Sequence, residues 1–268
     1  MPHSLRSPLL ELLKKLGSQL LQWRREHGVQ GVWEGSEFKA VADRQAHDFL
    51  CAGLRAIDAS IPIVSEEDEL SHHAGDRPQT YWLIDPIDGT ASYAENFDGF
   101  VTQIALIDGG RPQVAAVRVP AFDHSYFAER GGGAELNGQR LRLAFNPSNP
   151  RTLIDNHPSP RNSAARIFQL LKFDRYIECG SIGLKACKVA DGTADLFFKD
   201  VVVRDWDVAP ADLIVSEAGG VLCSEDGGEF LYTGSFEKPG VVVASNDVFV
   251  KELIACLKND DRGVEFGT

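Results

Sequence analysis

Helical and strand-like patterns of apolar residues follow one another along the first half of the chain. Apolar residues at three- and four-residue spacing predict amphipathic helices over about Leu5–Arg25 and Asp43–Ala56. The β-branched stretch "IPIVS" and the apolar run "TYWLID" predict two strands. Between Val101 and about Leu143, short strand-like segments alternate with the turn sequences "DGG", "PAFD" and "LNG", and the last segment is "RLRLA". This pattern predicts an antiparallel meander.

The second half of the chain alternates between helical and strand patterns. Helices are predicted over "SAARIFQLLK", around "LKACKVADG", over "DVAPADLIVSEAGG" and over "DVFVKELIACLK". Strands are predicted at "RYIEC", "ADLFF", "VLC" and "GVVVAS". Helices interleaved with two sets of strands predict an α+β protein built as a layered sandwich. No repeat or low-complexity linker marks a boundary, so we expect a single domain over 1–268 with approximate halves 1–150 and 151–268.

Composition and charge exclude several classes of protein. The chain has 268 residues, of which 43% are hydrophobic and 25% charged, as in ordinary globular proteins. It lacks the ~20 successive apolar residues of a membrane span, so no stable membrane insertion is expected. A net charge of −12 without a basic stripe argues against binding a nucleic acid polymer. Five scattered cysteines predict a protein without a disulfide framework or a zinc site, as in the reducing cytoplasm. The N-terminal stretch lacks the features of a signal peptide, which also favours a cytoplasmic protein.

The loop "DPIDGT" carries the clearest chemical signal. Asp85 ends a predicted buried strand and Pro86 favours an extended conformation before it, while Gly89 permits a tight turn into a helix that begins at Thr90. Two carboxylates, Asp85 and Asp88, would then lie beside N–H groups that suit a phosphate. Alternatives are a plain turn capped by Asp85, a calcium loop, which lacks the required spacing, and an aspartyl phosphotransferase motif, whose register the D-x-x-D spacing breaks.

Three further acidic positions begin or end predicted elements. Glu66 follows a short buried strand in "VSEEDE", although such a run is also typical of a solvated surface. Asp207 is predicted to be the N-cap of a helix with Pro210 in its first turn, and Asp43 begins another helix. Simple helix capping is the alternative for both aspartates.

These acidic groups imply metal chemistry if the fold gathers them. Five carboxylates in one pocket could not all stay ionised unaided; they belong to Asp43, Glu66, Asp85, Asp88 and Asp207. Oxygen ligands suit Mg²⁺ or Mn²⁺ rather than zinc. A magnesium pair roughly 3.5–4 Å apart would activate a water and stabilise a leaving oxygen. The expected reaction is hydrolysis of a phosphate monoester.

Four stretches in this order resemble the inositol monophosphatase superfamily of lithium-sensitive, magnesium-dependent phosphatases. They are "SEED", "WLIDPIDGT", "RGGGAELNGQRL" and "WDVAPADLIVSEAGG". The superfamily includes fructose-1,6-bisphosphatases and 3'(2'),5'-bisphosphate nucleotidases. The resemblance implies a single catalytic domain with a layered αβαβα sandwich and two or three Mg²⁺ ions, Mn²⁺ being a possible substitute and Li⁺ and Ca²⁺ inhibitors. It also implies a monomer or homodimer. One departure is Ala40, where the family usually has Thr or Ser.

The resemblance also implies a set of metal ligands. Glu66, Asp85 and the carbonyl of Ile87 would bind the first metal, and Asp85, Asp88 and Asp207 would bind the second.

By the same resemblance, Thr90 would position and deprotonate the attacking water, with Asp43 behind it and Glu66 beside it. The N–H groups of Gly89 and Thr90 would hold the phosphate. Asp207 is also expected to contact the substrate.

Substrate choice is predicted from "CGSIGLKACKVADG". Nucleotide bisphosphatases of the family resemble this chain in having a lysine at the position of Lys185, where a second phosphate needs a cation. Gly180 and Ser181 would line the same wall. The expected reaction converts adenosine 3',5'-bisphosphate to AMP and phosphate; inositol monophosphate is the second choice and a sugar bisphosphate the third. Alternatively, Lys185 is a solvated helix residue like Lys188.

Other features are given less weight. His72, His73 and Asp76 are expected to belong to a solvated loop, with a lid or a weak third metal site near Glu67 as the alternative. "ERGGGAEL" leads into a hairpin rather than a phosphate-binding helix. A non-catalytic metal-binding or nucleotide-sensing module would keep the pocket and lose turnover, but Thr90 and the acidic residues are all present.

Overall fold

The computed structural model describes residues 5–27, 31–34, 37–72, 77–144, 146 and 148–263. Its helices are α1 Arg6–His27, α2 Val41–Ile57, α3 Thr90–Ala94, α4 Asn162–Leu170, α5 Ile182–Ala190, α6 Asp205–Ala218 and α7 Asp247–Gly263. Its strands are β1 Gly31–Glu34, β2 Glu37–Ala40, β3 Ile63–Ser65, β4 Thr80–Asp88, β5 Val101–Asp108, β6 Arg111–Val119, β7 His124–Glu129, β8 Gly133–Leu136, β9 Gln139–Arg140, β10 Thr152–Asp155, β11 Arg175–Glu178, β12 Leu196–Lys199, β13 Val203–Arg204, β14 Val221–Cys223, β15 Glu237–Lys238 and β16 Val241–Ala244.

Two large sheets organise these elements. The first has seven strands in the order β3-β4-β5-β6-β7-β8-β9, and the second has five in the order β11-β10-β12-β16-β14. Only β3 pairs in parallel within the first sheet, and β5 to β9 form the predicted antiparallel meander. The last predicted strand of the meander, "RLRLA", is reduced to Gln139–Arg140, after which the chain leaves the sheet.

Strand β4 is buried on both faces, which explains its unbroken apolar sequence. Trp82 and Ile84 pack in one core with helices α1 and α2, whereas Tyr81 and Leu83 pack in another core with helices α5 and α6. Successive side chains of a strand point to opposite faces, so a strand between two helical layers is apolar at every position.

The three cores define the order of the layers. One core lies between α1/α2 and the seven-stranded sheet, and a second joins the other face of that sheet to α5/α6 and the five-stranded sheet. The third lies between the five-stranded sheet and α4/α7. The predicted α+β class and αβαβα sandwich are therefore confirmed. None of the helices within the described ranges has the length and apolarity needed to cross a bilayer.

Two functional segments differ from prediction in their boundaries. Strand β4 continues past Asp85 to Asp88, with an irregularity in its pairing with β5 between these residues, where Pro86 has no N–H to donate. Helix α6 begins at Asp205, so Asp207 is its third residue rather than its N-cap, and Pro210 lies inside the helix rather than in its first turn. The N-cap is Arg204.

A close backbone contact joins the segment before β5 to the start of α5. The N–H of Ser181 donates to the carbonyl of Gly99 over 2.7 Å. A Cβ added at Gly99 would lie 2.6 Å from the backbone nitrogen of Gly180, closer than real Cβ contacts allow. Glycine is therefore required where these two segments meet.

Replacing Gly99 by alanine should force this contact apart. We expect Gly99→Ala to lower the free energy of unfolding by about 1–3 kcal/mol, as overpacking does in other cores, measured by denaturant titration. The matched control is Gly132→Ala on an exposed turn, whose added Cβ would come no closer than 3.1 Å to the Glu129 carbonyl oxygen. The control should change stability by at most about 0.5 kcal/mol. Equal losses of unfolding free energy in both variants would contradict the conclusion that this contact requires glycine at position 99.

Candidate active site

A cleft of about 1130 Å³ opens beside the carboxyl end of β4. Eight of the residues predicted from the sequence line it: Asp43, Glu66, Asp88, Gly89, Thr90, Gly180, Ser181 and Lys185. Asp85 and Asp207 are not on its wall, but both act electrostatically on Glu66 or Asp88 and so lie next to it. The structure thus gathers the predicted acidic residues, which are far apart in sequence.

The "DPIDGT" loop makes the predicted turn. Gly89 has φ of +89°, a left-handed conformation that favours glycine, and it caps α3, which begins at Thr90. A Cβ at Gly89 would also lie 3.0 Å from that of Ser181. Glycine is required here by both conformation and space.

Thr90 and Asp43 are brought together as the resemblance implies. The Thr90 hydroxyl lies 3.3 Å from Asp43 Oδ1 and 3.0 Å from the carbonyl oxygen of Ile87. Asp43 is the third residue of α2 and is buried, so it does more than cap its own helix. The Ile87 carbonyl and the Thr90 hydroxyl are thereby held on the same side of the loop.

The carboxyl groups of Glu66 and Asp85 interact closely enough for each to affect the pKa of the other. Burial, and then the charge of neighbouring acidic groups, holds the pKa of each well above its ordinary value; the first neighbour is Asp207 for Glu66 and Glu66 itself for Asp85. Asp85 is 1% exposed, and its Oδ1 has no hydrogen-bond partner in the described part of the chain.

The segment that presents Glu66 is held from two sides. The Ser65 hydroxyl lies 2.7 Å from Nδ1 of the buried His47 of α2. The Ser65 carbonyl oxygen lies 2.6 Å from Nε2 of His72, whose ring stacks on Trp206 with centroids 4.6 Å apart. His72 is therefore not the solvated loop residue that the sequence suggests, while His73 and Asp76 lie outside the described residues.

Asp88 is held by the start of α5. Its carboxylate accepts backbone N–H groups of Ile182 at 3.3 Å and Gly183 at 2.6 Å. Burial raises the pKa of Asp88, and these two N–H groups and the charge of Lys185 partly oppose the rise. A Cβ at Gly183 would come 2.9 Å from Asp88 Oδ2, so the close approach depends on glycine.

Asp207 is oriented by its own helix. Its Oδ2 accepts the backbone N–H of Arg204 over 2.9 Å, which satisfies one of the free donors at the start of α6. Burial, followed by the charge of Asp88, raises the pKa of Asp207 to about 7.

Lys185 lies at the bottom of the cleft and has 0% exposure. Its ammonium group donates to Asn156 Oδ1 and to the Gly180 carbonyl, the latter over 3.0 Å, and stands 4.8 Å from the centroid of the Phe197 ring. Burial lowers its pKa to about 8. The alternative prediction of a solvated lysine like Lys188 is wrong, because α5 is buried between two sheets.

Three residues in or beside the cleft were missed by sequence reasoning. Gln103 donates to Asp88, and Lys199 and Trp206 line the cleft. Gln103 lies in the largely apolar run "VTQIALI", and a glutamine in such a run was the available signal. Lys199 and Trp206 reach the cleft only through the packing of distant elements.

The donor set fits divalent cations. Within the described residues, no three acidic, histidine or cysteine side chains stand in a ready-made metal-binding arrangement. However, four neighbouring carboxyl groups have raised pKa values, two of them buried (Asp85 and Asp88) and two half-buried (Glu66 and Asp207), and the buried Asp85 Oδ1 atom has no partner in the described part of the chain. Hard cations such as Mg²⁺ prefer this oxygen chemistry and would remove the repulsion.

Fold and site together define a metal-dependent hydrolase of phosphate esters. The chain matches the model of the inositol monophosphatase family over residues 3–260 and belongs to that family. Its members are generally Mg²⁺-dependent, which agrees with the chemistry of the carboxylates.

Relatives within the family carry different names. The chain is 28% identical to the Nus factor SuhB of Salmonella typhimurium, covering 96% of this chain and 97% of the relative. It is 28% identical to the 3'(2'),5'-bisphosphate nucleotidase CysQ of Aggregatibacter actinomycetemcomitans over 80% of this chain and 82% of CysQ. It is 29% identical to the fructose-1,6-bisphosphatase/inositol-1-monophosphatase of Thermotoga maritima, covering 89% and 94%.

A solved structure has the same fold. The extragenic suppressor protein suhB of Bartonella henselae superposes with a TM-score of 0.79 at 22% identity, covering 99% of this chain and all of that one, 100%. This likeness confirms the layered α+β architecture.

The raised pKa of Asp207 predicts how stability depends on pH. Its folded-state pKa of about 7 lies above the ordinary value of 3.8, so its contribution to stability is full below about pH 4 and is lost as the pH rises through 7. We expect the melting temperature of the metal-free protein to fall over this range, and the fall to be smaller in Asp207→Asn.

The same cluster predicts that Mg²⁺ raises the melting temperature more at neutral pH than at pH 5, because the cations need deprotonated ligands. The melting temperature of the parent and of Asp207→Asn should be measured against pH with and without Mg²⁺. Parallel profiles for the two proteins would contradict a link between Mg²⁺ binding and the ionisation of Asp207.

Proposed function

We propose that this phosphatase is a 3'(2'),5'-bisphosphate nucleotidase that hydrolyses adenosine 3',5'-bisphosphate to AMP and phosphate. The observation that carries the proposal is the ammonium group of Lys185 at the bottom of the cleft. Its hydrogen-bond partners in the described part of the chain, Asn156 and the Gly180 carbonyl, carry no formal charge. A buried cation calls for an anion, and one ammonium N–H is left to bind it.

The charge of the surrounding wall supports a substrate with a second phosphate. Lys199 and Arg204 also line the cleft, and the positive charge of Lys199 contributes to the lowered pKa of Lys185. Cations that repel one another inside one cleft favour a polyanionic ligand. Gly180 and Ser181 line the same wall and would contact the substrate beside Lys185.

Aromatic side chains support a nucleotide over a sugar bisphosphate. Phe97 lines the cleft and is 38% exposed, whereas Trp206 and Phe236, which line another part of it, are buried. The exposed face of Phe97 suits the stacking of a base. Inositol monophosphate, the second candidate, has no second phosphate for the ammonium of Lys185 to bind, and a sugar bisphosphate is third.

The acidic residues would hold two or three Mg²⁺ ions. Glu66, Asp85 and the Ile87 carbonyl would bind the first, and Asp85, Asp88 and Asp207 the second. When bound, the ions would neutralise the carboxylates and polarise the phosphate ester.

The residues of the turn would orient the attacking water and bind the phosphate. The hydroxyl of Thr90 would orient the attacking water, and Asp43, with Glu66 beside it, would hold the proton that the water releases. The N–H groups of Gly89 and Thr90 would hold phosphate oxygens, and Asp207 would contact the substrate next to its metal. The water oxygen forms a bond to phosphorus as the bond to the 3'-oxygen breaks, and that oxygen takes up a proton from solvent and leaves as a hydroxyl.

Removing the Thr90 hydroxyl should abolish most of the activity. We expect Thr90→Val, which keeps the shape of the side chain, to lower kcat by about 100-fold or more, the scale of a lost proton-transfer group. Thermal unfolding should change little, and Thr90→Ser should retain most of the activity. Equal kcat for the Val and Ser variants would contradict the role of the hydroxyl.

Substrate preference is tested by replacing Lys185. Phosphate release should be measured with Mg²⁺ on adenosine 3',5'-bisphosphate, inositol 1-phosphate and fructose 1,6-bisphosphate. We expect the nucleotide to be preferred, and Lys185→Met, which keeps the volume, to lower kcat/KM for it by about 30-fold or more because a buried ionic contact is lost. Hydrolysis of inositol 1-phosphate should change little.

The matched control is Lys188→Met, one turn further along α5, where the lysine pairs with Asp191 at 3.2 Å. It should leave all three activities near those of the parent. If inositol 1-phosphate is hydrolysed as well as the nucleotide, or if both lysine variants behave alike, the nucleotide proposal fails. Inhibition by Li⁺ and by Ca²⁺ should accompany whichever activity is found.

A further inference from the structure

Gln103 of β5 lies at 0% exposure between Asp88 and the start of α6. Its Nε2 is 3.0 Å from the carbonyl oxygen of Trp206, 3.3 Å from that of Asp207 and 3.4 Å from Asp88 Oδ2. One side-chain amide therefore contacts both Asp88 and the backbone of the segment that carries Asp207.

The contacts fix the orientation of this amide. All three neighbours of Nε2 are acceptors, so the NH₂ group and not the carbonyl oxygen must face them. The Gln103 Oε1 atom has no hydrogen-bond partner among the described residues. Because the buried amide oxygen has no partner, the hydrogen bonds donated by Nε2 must hold the side chain in this orientation.

The need for that nitrogen arises from Pro210. In an α-helix the carbonyl of Trp206 would accept the N–H of the residue four positions on, but that residue is Pro210, which has none. The Gln103 amide supplies the missing donor. Without it, a buried carbonyl would face the Asp88 carboxylate with no hydrogen between them.

We propose that Gln103 is a positioning residue that couples Asp88 to the backbone of Asp207 and thereby sets the divalent-metal affinity of the site. The inference rests on the proposed function, in which these two aspartates share the second metal. By donating to acceptors on both segments at once, the amide holds β4 and α6 at a fixed separation. Removing a donor that holds metal ligands in place commonly changes metal affinity by about 10–100-fold.

The direct test is metal binding to the substrate-free protein. Mg²⁺ and Mn²⁺ should be titrated calorimetrically into the parent, Gln103→Leu and Thr102→Val. Leucine keeps similar bulk and removes the donor. Thr102 is the matched control: it is the adjacent residue of β5, equally buried, and its hydroxyl has no partner in the described structure.

We expect Gln103→Leu to weaken metal binding by about tenfold or more and Thr102→Val to leave it unchanged. The Mg²⁺ concentration for half-maximal activity should rise by the same factor, with a smaller effect on kcat at saturating metal. Metal binding by Gln103→Leu equal to that of the parent would overturn the inference. A parent that binds no divalent cation would instead overturn the proposed function itself.

A second variant distinguishes an effect of Gln103 on the metal site from its role as the hydrogen-bond donor that α6 lacks. Pro210→Ala restores an N–H that can reach the Trp206 carbonyl, so Gln103→Leu/Pro210→Ala should recover thermal stability without recovering metal affinity. Recovery of both would show that Gln103 only completes α6 and would overturn the coupling. The double variant also provides the metal titration if Gln103→Leu alone folds poorly.

Discussion

Mutual repulsion among the clustered carboxylates governs how the candidate site is built. Glu66, Asp85, Asp88 and Asp207 come from three separate segments, and burial raises the pKa of each. Such a cluster persists only where protons, N–H donors or cations offset the charge. The proposed chemistry follows from the last of these, because cations that neutralise the cluster also attract a phosphate ester.

The layered fold supplies hydrogen-bond donors that also offset the charge of the carboxylates. Covering β4 on both faces places its acidic end in a buried setting, and the start of α5 gives two N–H groups to Asp88. Pro210 deprives the start of α6 of one internal hydrogen bond, and Gln103 replaces it from the neighbouring sheet. The site is therefore held by contacts between layers rather than within one loop.

The local parts of this arrangement could be predicted from the sequence, whereas the contacts between layers could not. The apolar run before Asp85 and the Gly89 turn are set by short-range rules of strand burial and glycine conformation. The N-cap of α6 is predicted at Asp207 but lies three residues earlier, at Arg204, because Asp207 is a residue type that favours N-caps but acts here from the third position of the helix. Burial of Lys185 and the contacts of Gln103 depend on which distant elements pack together, and no local pattern encodes that.

If divalent cations replace protons in this carboxylate cluster, Mg²⁺ binding must release protons. Calorimetry in buffers of different ionisation enthalpy near pH 7 counts the protons released. Since the pKa of Asp207 is about 7 and those of its neighbours are also raised, binding should release on the order of one proton per protein, and fewer in Asp207→Asn. Binding without proton release in the parent would contradict the account.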